Sequence, residues 1–333
     1  MLLEPLKDYL NNMTARQECD LWEMVETKIA EHVASNTHAV TSGYFTRPHA
    51  TTFCSFASCR REVAFKALGY PTKPIAWRTR NTFANGHMLE AYLKAVLSCA
   101  GLDYDDKTSY PLDGFVTPDG YQVCVTPDAM ITQTEAMRDM VADPDLWLCT
   151  EIKSISDAGF DKWEREGVQS SKPGYYDQAQ LEMYGTGSTM VCFLVINKNT
   201  GKLHEQIVHR DNYRIEQLKD LFVDIFANQD PFDLPAPHGL QDVTQRFRGQ
   251  KTKDEADALA LLHNSTAMQW LDVRGRHIGW EVLVDRKLPW QCSYCDFNVQ
   301  CWEHRGYTLG KGKFEENGTP YTGAYKHVTE DIF

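Results

Sequence analysis

The stretch LWLCTEIKSIS, residues 146–156, decides the fold, because it is an apolar run that ends in charged residues. A strand buried on both faces stays apolar until it reaches the edge of the core. Glu151 and Lys153 are separated by one residue, and side chains alternate along a strand. The sequence therefore predicts a central strand that brings a carboxylate and an amine to the same face.

A hairpin is predicted just before this strand, in GFVTPDGYQVCVTPDAMIT, residues 114–132. Asp119-Gly120 is a strong turn signal between two short arms of residues that favour strands. Asp128 ends the second arm. Carboxylates at the ends of neighbouring strands can share a cleft and bind a divalent ion through oxygen. Asp128 and Glu151 are therefore predicted to meet.

Helical periodicity and strand patterns alternate over the rest of the chain. Helices are predicted over residues 15–35, 58–71, 82–102, 175–185, 213–228 and 253–271, and a strand pair over 191–210 that turns at 199–201. This order predicts one elaborated α/β domain, with a mixed sheet between helices. The predicted organisation is a helical segment at 1–40, a main domain at 41–304 and an irregular tail at 305–333.

Composition narrows the class of protein. With 333 residues and 42% hydrophobic residues, the chain can bury a core without disulfides, despite its ten cysteines. The opening MLLEPLKDYL contains an acid and a base, and no apolar run is long enough for a bilayer, so a cytoplasmic protein is expected. The net charge of −12 excludes a protein that coats nucleic acid by charge alone.

Basic residues are nevertheless concentrated between residues 41 and 80, where Glu62 is the acid that opposes them. This concentration favours a focused phosphate-binding groove, although a solvated helix face would have the same composition. The basic residues are Arg47, Arg60, Arg61, Lys66, Lys73, Arg78 and Arg80.

Three cysteines lie within QCSYCDFNVQCW, residues 291–302, as C-x2-C-x5-C at Cys292, Cys295 and Cys301. Spacing this close indicates a metal centre, and a four-thiolate centre would take its fourth ligand from elsewhere in the chain. Four thiolates suit either zinc or an iron-sulfur cluster. The helix and strand patterns instead favour buried, structural roles for Cys19, Cys99, Cys124, Cys149 and Cys192.

Taken together, the Pro-Asp at 127–128, the apolar strand and the Glu-x-Lys at 151–153 resemble the PD-(D/E)XK nuclease superfamily. Glu90 lies four residues after Gly86, where RecB-type nucleases have a His and phage lambda-type exonucleases have a Glu. The following helix resembles the family's Gln-containing helix in two alternative registers. One register is Tyr175-x-x-Gln178 and the other is Gln180-x-x-x-Tyr184.

The cysteines extend the resemblance to iron-sulfur nucleases, namely the RecB-like AddB subunit and CRISPR-associated exonucleases. It implies a [4Fe-4S] cluster that joins parts of the chain at about 54–70 and 288–304, with Cys59 as the fourth ligand. Cys54 is the alternative fourth ligand, and Zn²⁺ is the alternative metal. Such a clasp would stabilise the fold by restricting the unfolded chain.

The resemblance implies a restriction-endonuclease-like core with Mg²⁺ or Mn²⁺ at the site. It assigns the metal to Glu90, Asp128, Glu151 and the backbone of Ile152. Lys153 would position or deprotonate water, and Gln178 or Gln180, with Tyr184, would complete the catalytic residues. Contacts with DNA are expected from Arg60, Arg61, Lys66, Arg78, Arg80 and His87.

The expected function is a metal-dependent DNA exonuclease of phage or bacterial recombination or DNA-end processing, acting in the host cytoplasm if phage-encoded. The resemblance also implies a homo-oligomer and a single-strand annealing recombinase as candidate partners, and no membrane is expected. Two alternatives stay open. One is a non-catalytic DNA-binding or scaffold protein with a four-cysteine centre, and the other is an endonuclease.

Overall fold

A computed structural model of the chain describes most of its residues and divides them into two compact units, Met1–Pro231 and Phe232–Phe333. The division falls inside the main domain predicted at 41–304. The described residues are 2–41, 48–54, 59–70, 77–131, 147–228, 230–234, 241–249, 252–262, 265–272, 274–287, 292, 295, 297–304, 307–311 and 322–326.

The first unit begins with helices and continues with alternating strands and helices. Its helices are α1 (Leu3–Asn12), α2 (Ala15–Thr41), α3 (Ala50–Phe53), α4 (Arg60–Ala67), α5 (Trp77–Cys99), α6 (Asp157–Ser171), α7 (Pro173–Thr186) and α8 (Asn212–Asn228). Its strands are β1 (Tyr104–Asp105), β2 (Tyr110–Val116), β3 (Gln122–Val125), β4 (Ala129–Ile131), β5 (Leu148–Ile155), β6 (Met190–Asn197) and β7 (Leu203–His209).

The central sheet has five strands in the order β1-β4-β5-β6-β7. β5 and β6 are parallel, with Glu151 opposite Phe193, and the other neighbours are antiparallel. β2 and β3 form a separate hairpin. The predicted α/β architecture, a mixed sheet flanked by helices, is confirmed.

Alternation along β6 shows how the sheet is covered on both faces. Cys192, Leu194 and Ile196 face a core that includes residues of α1, α2 and α5. Phe193 and Val195 face the opposite core, which includes residues of α6 and α7. β5 therefore lies in the middle of three layers, as expected of a strand apolar on both faces.

Helix α7 is held in place by close packing and by polar contacts. Close packing excludes any residue larger than glycine at Gly185, because a Cβ there would lie 2.6 Å from Val125 Cγ2. Asp177 is 1% exposed and accepts two hydrogen bonds from Arg214 of α8, Nε to Oδ1 at 2.6 Å and Nη2 to Oδ2 at 2.9 Å. Helix α7 is thus anchored at both ends, which fixes the side chains it presents to β5.

The second unit contains an antiparallel sheet in the order β8-β10-β9, a helix that packs on it and a further strand pair. These elements are β8 (Gln241–Arg248), α9 (Lys253–Leu262), β9 (Ala267–Leu271), β10 (His277–Lys287), α10 (Asn298–His304), β11 (Tyr307–Lys311) and β12 (Thr322–Lys326), and a short 3-10 helix covers Pro231–Asp233.

Several elements differ from the sequence predictions. The predicted helix 253–271 ends at Leu262, and the remainder includes β9. Its apolar residues fit a helix by spacing, but Ala267 and Met268 pair with β10. Helices α1 and α6, and strands β8 and β10, were not predicted. β11 and β12 pair within the segment predicted to be irregular. Within the described residues, every helix is too short or too polar to span a bilayer.

Replacing Asp177 with Ala should lower the free energy of unfolding by about 3–5 kcal/mol, because it leaves the Arg214 guanidinium without its buried partner. Urea titration of the full chain measures this. The control is Glu216→Ala in α8, the helix of Arg214. This change breaks an exposed pair with Lys219 at 3.0 Å and should lower the free energy of unfolding by no more than about 1 kcal/mol. Equal losses in the two variants would contradict the anchoring role of Asp177.

Candidate active site

The carboxyl-terminal half of β5 brings Glu151 and Lys153 to one face of the sheet, where their side chains are hydrogen bonded to each other. Asp128 immediately precedes β4, and its Oδ2 accepts a hydrogen bond from the backbone N of Ile152 at 2.8 Å. The same oxygen lies 3.7 Å from Lys153 Nζ. One ammonium group therefore contacts two carboxylates, which lie 25 and 2 residues away from it in sequence.

Helix α7 adds an amide and a further carboxylate to this group. Gln178 Nε2 donates to Glu151 Oε1 and to Glu182 Oε1, at 2.8 Å. Glu182 is 2% exposed, and its Oε2 is buried without a hydrogen-bond partner in the part of the chain that the structure describes. A buried carboxylate oxygen in this state is costly unless a cation or water satisfies it.

The electrostatics of the group are dominated by burial and by excess negative charge. Burial raises the pKa of Glu151 well above its ordinary value, and the charges of Asp128 and Glu182 raise it further. Burial also raises the pKa of Glu182. Burial alone would lower the pKa of Lys153, but the surrounding carboxylates outweigh it, so the net shift is upward and Lys153 stays charged. Three carboxyl groups thus surround one amine.

Glu90 reaches this region from α5 and shares a cleft with Asp128. Glu90 Oε1 lies 2.9 Å from Lys94 Nζ, and Lys94 also pairs with Asp106 at 3.2 Å. Burial would lower the pKa of Lys94, but the charges of Glu90 and Asp128 raise it overall. The cleft between Glu90 and Asp128 is therefore a place where positive charge is favoured.

The donor set fits a hard divalent cation, since it consists of carboxylate oxygens, one of them the unsatisfied Oε2 of Glu182. Across the described ranges, no three His, Cys, Asp or Glu side chains are already grouped as ligands of one metal ion. Lysine ammonium groups pair with the carboxylates instead: Lys94 with Glu90 and Lys153 with Asp128 and Glu151. Metal binding would require these contacts to rearrange.

The two alternative glutamines have different surroundings. Gln178 contacts Glu151. The side-chain amide of Gln180 instead binds backbone through both of its polar atoms: Nε2 donates to the carbonyl of His209 at 3.1 Å, and Oε1 accepts from Asp211 N at 2.6 Å. Gln180 thus joins α7 to the turn between β7 and α8. Tyr184 donates through its hydroxyl to the carbonyl of Asp113 in β2 at 3.0 Å, so it braces the hairpin.

The predicted DNA-binding residues fall into two groups. On α4, Arg60 lies 3.6 Å from Asp224, Lys66 lies 2.7 Å from Glu62, and Arg61 is only 8% exposed. Arg61 is buried because α4 packs that face inward, so it does not belong to a surface that binds phosphate. On α5, Arg78, Arg80 and His87 are exposed.

The cysteines predicted to bind a cluster lie in both units. Cys59 is the N-cap residue of α4. In the second unit, Cys295 N donates to the carbonyl of Cys292 at 3.2 Å, and Cys301 N donates to that of Phe297 at 3.0 Å. Cys59, Cys292, Cys295 and Cys301 are all partly exposed, whereas Cys54 is buried, with Sγ 3.3 Å from the carbonyl of Ala50. Burial raises the pKa of Cys54 well above its ordinary value.

Comparisons with known proteins give weak similarities. No protein-family model matches the chain, and no curated protein matches it significantly. Among solved structures, it is similar to an alkaline exonuclease (LHK-Exo) from Laribacter hongkongensis, at 15% identity and a TM-score of 0.38 over 56% of this chain and 89% of that one.

Two further structures are similar to a comparable degree. LHK-Exo in complex with dAMP has 14% identity and a TM-score of 0.37, over 55% of this chain and 88% of that one. SSO0001 has 14% identity and a TM-score of 0.36, over 62% and 85%. The assignment of the fold and of the site therefore depends on the residues of this chain.

Sequence patterns missed Glu182 and Lys94, and they assigned no role to Tyr175. Glu182 follows Gln178 by four positions, so a helical projection would have placed both on one face. Lys94 follows Glu90 by the same spacing. Tyr175 lies with its ring centroid 5.3 Å from Lys153 Nζ, and its place in the Tyr175-x-x-Gln178 register was the available signal.

Replacing Glu151 with Gln should flatten the pH dependence of stability in protein free of divalent cations. A carboxyl with a raised folded-state pKa contributes stability that is present below its ordinary pKa of 4.5 and is lost as the pH rises through the raised value. The wild-type chain should therefore lose stability relative to Glu151→Gln as the pH rises. Urea midpoints across a pH series measure this.

The control is Glu216→Gln, which removes a carboxyl group outside the buried site, on a side chain that is 65% exposed. Parallel pH profiles for Glu151→Gln and the wild type would show that the raised pKa of Glu151 is incorrect.

Proposed function

We propose that this chain is a metal-dependent deoxyribonuclease that digests DNA from its ends. The observation that carries the proposal is the contact of one partly buried amine, Lys153, with Asp128 and Glu151, next to a cleft that Glu90 also lines. Acids from different elements have little structural reason to gather around one amine, whereas hydrolysis of a phosphodiester requires such a group.

The metal would be Mg²⁺ or Mn²⁺, held by Glu90, Asp128, Glu151 and the backbone of Ile152. When bound, it would polarise the phosphate and lower the pKa of a bound water. The three carboxyl groups around Lys153 support this assignment, because a divalent cation would offset the negative charge that raises the pKa of Glu151. These oxygen ligands suit either of the two metals.

Lys153 would neutralise charge that develops on the phosphate and would hold the attacking water. Its ammonium group is fixed by Asp128 and Glu151 and lies over the ring of Tyr175. A donor already oriented before the reaction stabilises a transition state without a further cost of reorganisation.

Gln178 would orient water through its carbonyl oxygen. Its NH₂ group donates to the carboxylates of Glu151 and Glu182, and carboxylates accept but do not donate. The two acceptors fix the amide with nitrogen inward, which leaves Oε1 as the acceptor for a water hydrogen. Glu182 is then a positioning residue that acts through Gln178.

A strand of DNA would reach the site along α5. Arg80, Phe83, His87 and Glu90 follow one another at spacings of three, four and three residues, which places them on one side of a helix. Phe83 is 53% exposed, and His87 lines the same cleft as Glu90. Arg80 and His87 would contact phosphates, Phe83 would contact a base, and Arg78 would add positive charge nearby.

The central test is the digestion of linear, end-labelled DNA with Mg²⁺ or Mn²⁺ by Asp128→Asn and Lys153→Met variants. Each should lose activity by roughly 100-fold or more, because each removes a group that acts on water or metal in the transition state. The control is Lys162→Met on α6, which removes an exposed amine and should retain full activity. Undiminished activity of Asp128→Asn would refute the assignment.

Substrate form separates the proposal from its alternatives. An exonuclease should leave closed circular DNA intact, whereas an endonuclease would cut it. A non-catalytic DNA-binding protein would digest neither form.

We propose that the activity serves recombination or DNA-end processing in phage or bacteria, with an annealing recombinase and a homo-oligomer as candidate assemblies.

We also propose a structural [4Fe-4S] cluster held by Cys59, Cys292, Cys295 and Cys301. Metal binding requires thiolates, and the N-cap position of Cys59 favours a thiolate through the positive end of α4. The buried thiol of Cys54, with its raised pKa, is a poorer ligand. Spacing alone permits zinc, so the metal itself has to be measured.

Purified protein should be brown and contain roughly four iron atoms per chain. Serine at Cys59, Cys292, Cys295 or Cys301 should lower the iron content and the melting temperature, because cluster binding stabilises the folded state. Cys19→Ser, at an exposed position, is the matched control. A colourless protein that contains zinc would show that the centre binds zinc and not iron. Loss of iron in Cys54→Ser but not in Cys59→Ser would identify Cys54 as the fourth ligand.

A further inference from the structure

The sheet of the second unit has two chemically different faces. One face packs against α9, where Val282, Ala267 and Phe247 contact Ala256 and Ala260 in an apolar cluster. Because side chains alternate along each strand, the neighbouring positions project from the opposite face. That face therefore carries the residues that the core of this unit does not use.

Arginine and tryptophan side chains meet on this opposite face. The guanidinium carbon of Arg246 on β8 lies 4.8 Å from the ring centroid of Trp270 on β9. Arg246 Nε also donates to Glu281 of the central strand β10 at 3.1 Å. These contacts across three strands show that Arg246, Glu281 and Trp270 share one face, and Arg246 is 55% exposed.

A glycine lies beside this stack. Gly279 of β10 is paired with Arg248 on one side and with Trp270 on the other. It has no side chain because a Cβ would lie 2.1 Å from the carbonyl oxygen of Phe247. Two strand spacings, about 9.5 Å, separate the backbones of the outer strands. Backbone atoms of β8 occupy the position of a Cβ at Gly279, so the row presents an exposed arginine and a half-buried tryptophan with no side chain between them.

Further positive charge lies at the end of the same sheet. Arg274 and Arg276 are exposed in the turn that joins β9 to β10, and Asp272 accepts hydrogen bonds from the backbone of both. Arg246 pairs with Glu281 and the Arg276 side chain pairs with Asp272, so four arginines face two carboxylates here. In a chain with a net charge of −12, this local excess of positive charge beside an aromatic ring is complementary to a polyanion that has flat, apolar bases.

We propose that this face, defined by Arg246, Arg248 and Trp270, binds single-stranded nucleic acid. A base would stack on Trp270, and phosphates would contact Arg246 and Arg248, as in sequence-tolerant strand binding by sheets. A duplex offers its phosphates but keeps its bases stacked inside, so the ring selects the single strand. The inference extends the proposed function, because a nuclease that acts at DNA ends has a single strand to hold.

The test is fluorescence anisotropy of the full chain with a labelled oligothymidine of about 16 nucleotides, without added divalent cations. Trp270→Ala should raise Kd by roughly 5- to 100-fold, the range for loss of one base stack, and Trp270→Phe should have a smaller effect. Arg248→Ala should reduce the slope of log affinity against log salt by about 0.7. Blunt duplex of equal length should be affected little by Trp270→Ala.

Matched controls are Trp22→Ala, a tryptophan 54% exposed on α2, and Arg165→Ala, an arginine 67% exposed on α6. Both should bind like the wild type. Wild-type affinity in Trp270→Ala and Arg248→Ala, or equal losses for single strand and duplex in Trp270→Ala, would overturn the proposal. If Trp270→Ala melts early, Arg248→Ala alone decides.

The same assay separates this proposal from the nuclease itself. Introduced into Lys153→Met, the Trp270→Ala change should lower oligonucleotide affinity by the same factor as in the wild type, even though we expect Lys153→Met not to digest DNA. Normal digestion by Lys153→Met would refute the active site and leave the strand-binding face standing. Normal binding of the oligonucleotide by Trp270→Ala and Arg248→Ala would refute the strand-binding face and leave the active site standing.

Discussion

The site is organised by a shortage of positive charge at the end of β5. Lys153 faces both Asp128 and Glu151, while Glu182 lies behind them with one oxygen unsatisfied among the described residues. Buried carboxylates without enough counter-charge destabilise a fold, which is why the pKa of Glu151 is raised. A fold retains such an arrangement when a ligand or a reaction depends on it.

The surrounding structure holds this unfavourable group together. β5 is covered on both faces, so it cannot turn its charged residues to solvent. Helix α7 is fixed to α8 by Asp177 and Arg214, and it approaches the hairpin closely at Gly185. Gln178 and Glu182 are therefore presented to Glu151 by a helix with little freedom to move.

The sequence was most informative where one short segment determines its own geometry. Alternation along β5 was enough to place Glu151 and Lys153 on one face, and the helix that carries Gln178 was visible from its pattern. The sequence could not show whether Gln178 or Gln180 faces Glu151, because that depends on the rotation of α7 against β5. Arg61 was expected at the surface because its charge is visible in sequence, whereas the inward packing of α4 is not.

The second unit was harder to anticipate. β9 has apolar spacing that suits a helix, and its pairing with β10 arises from contacts between segments.

The cleft between Glu90 and Asp128 has a further consequence through Lys94, which already pairs with Glu90 and Asp106. The divalent cation that we propose would have to exchange with this resident ammonium group. The affinity for metal would then be a difference between two cations, weaker than the carboxylates alone would give.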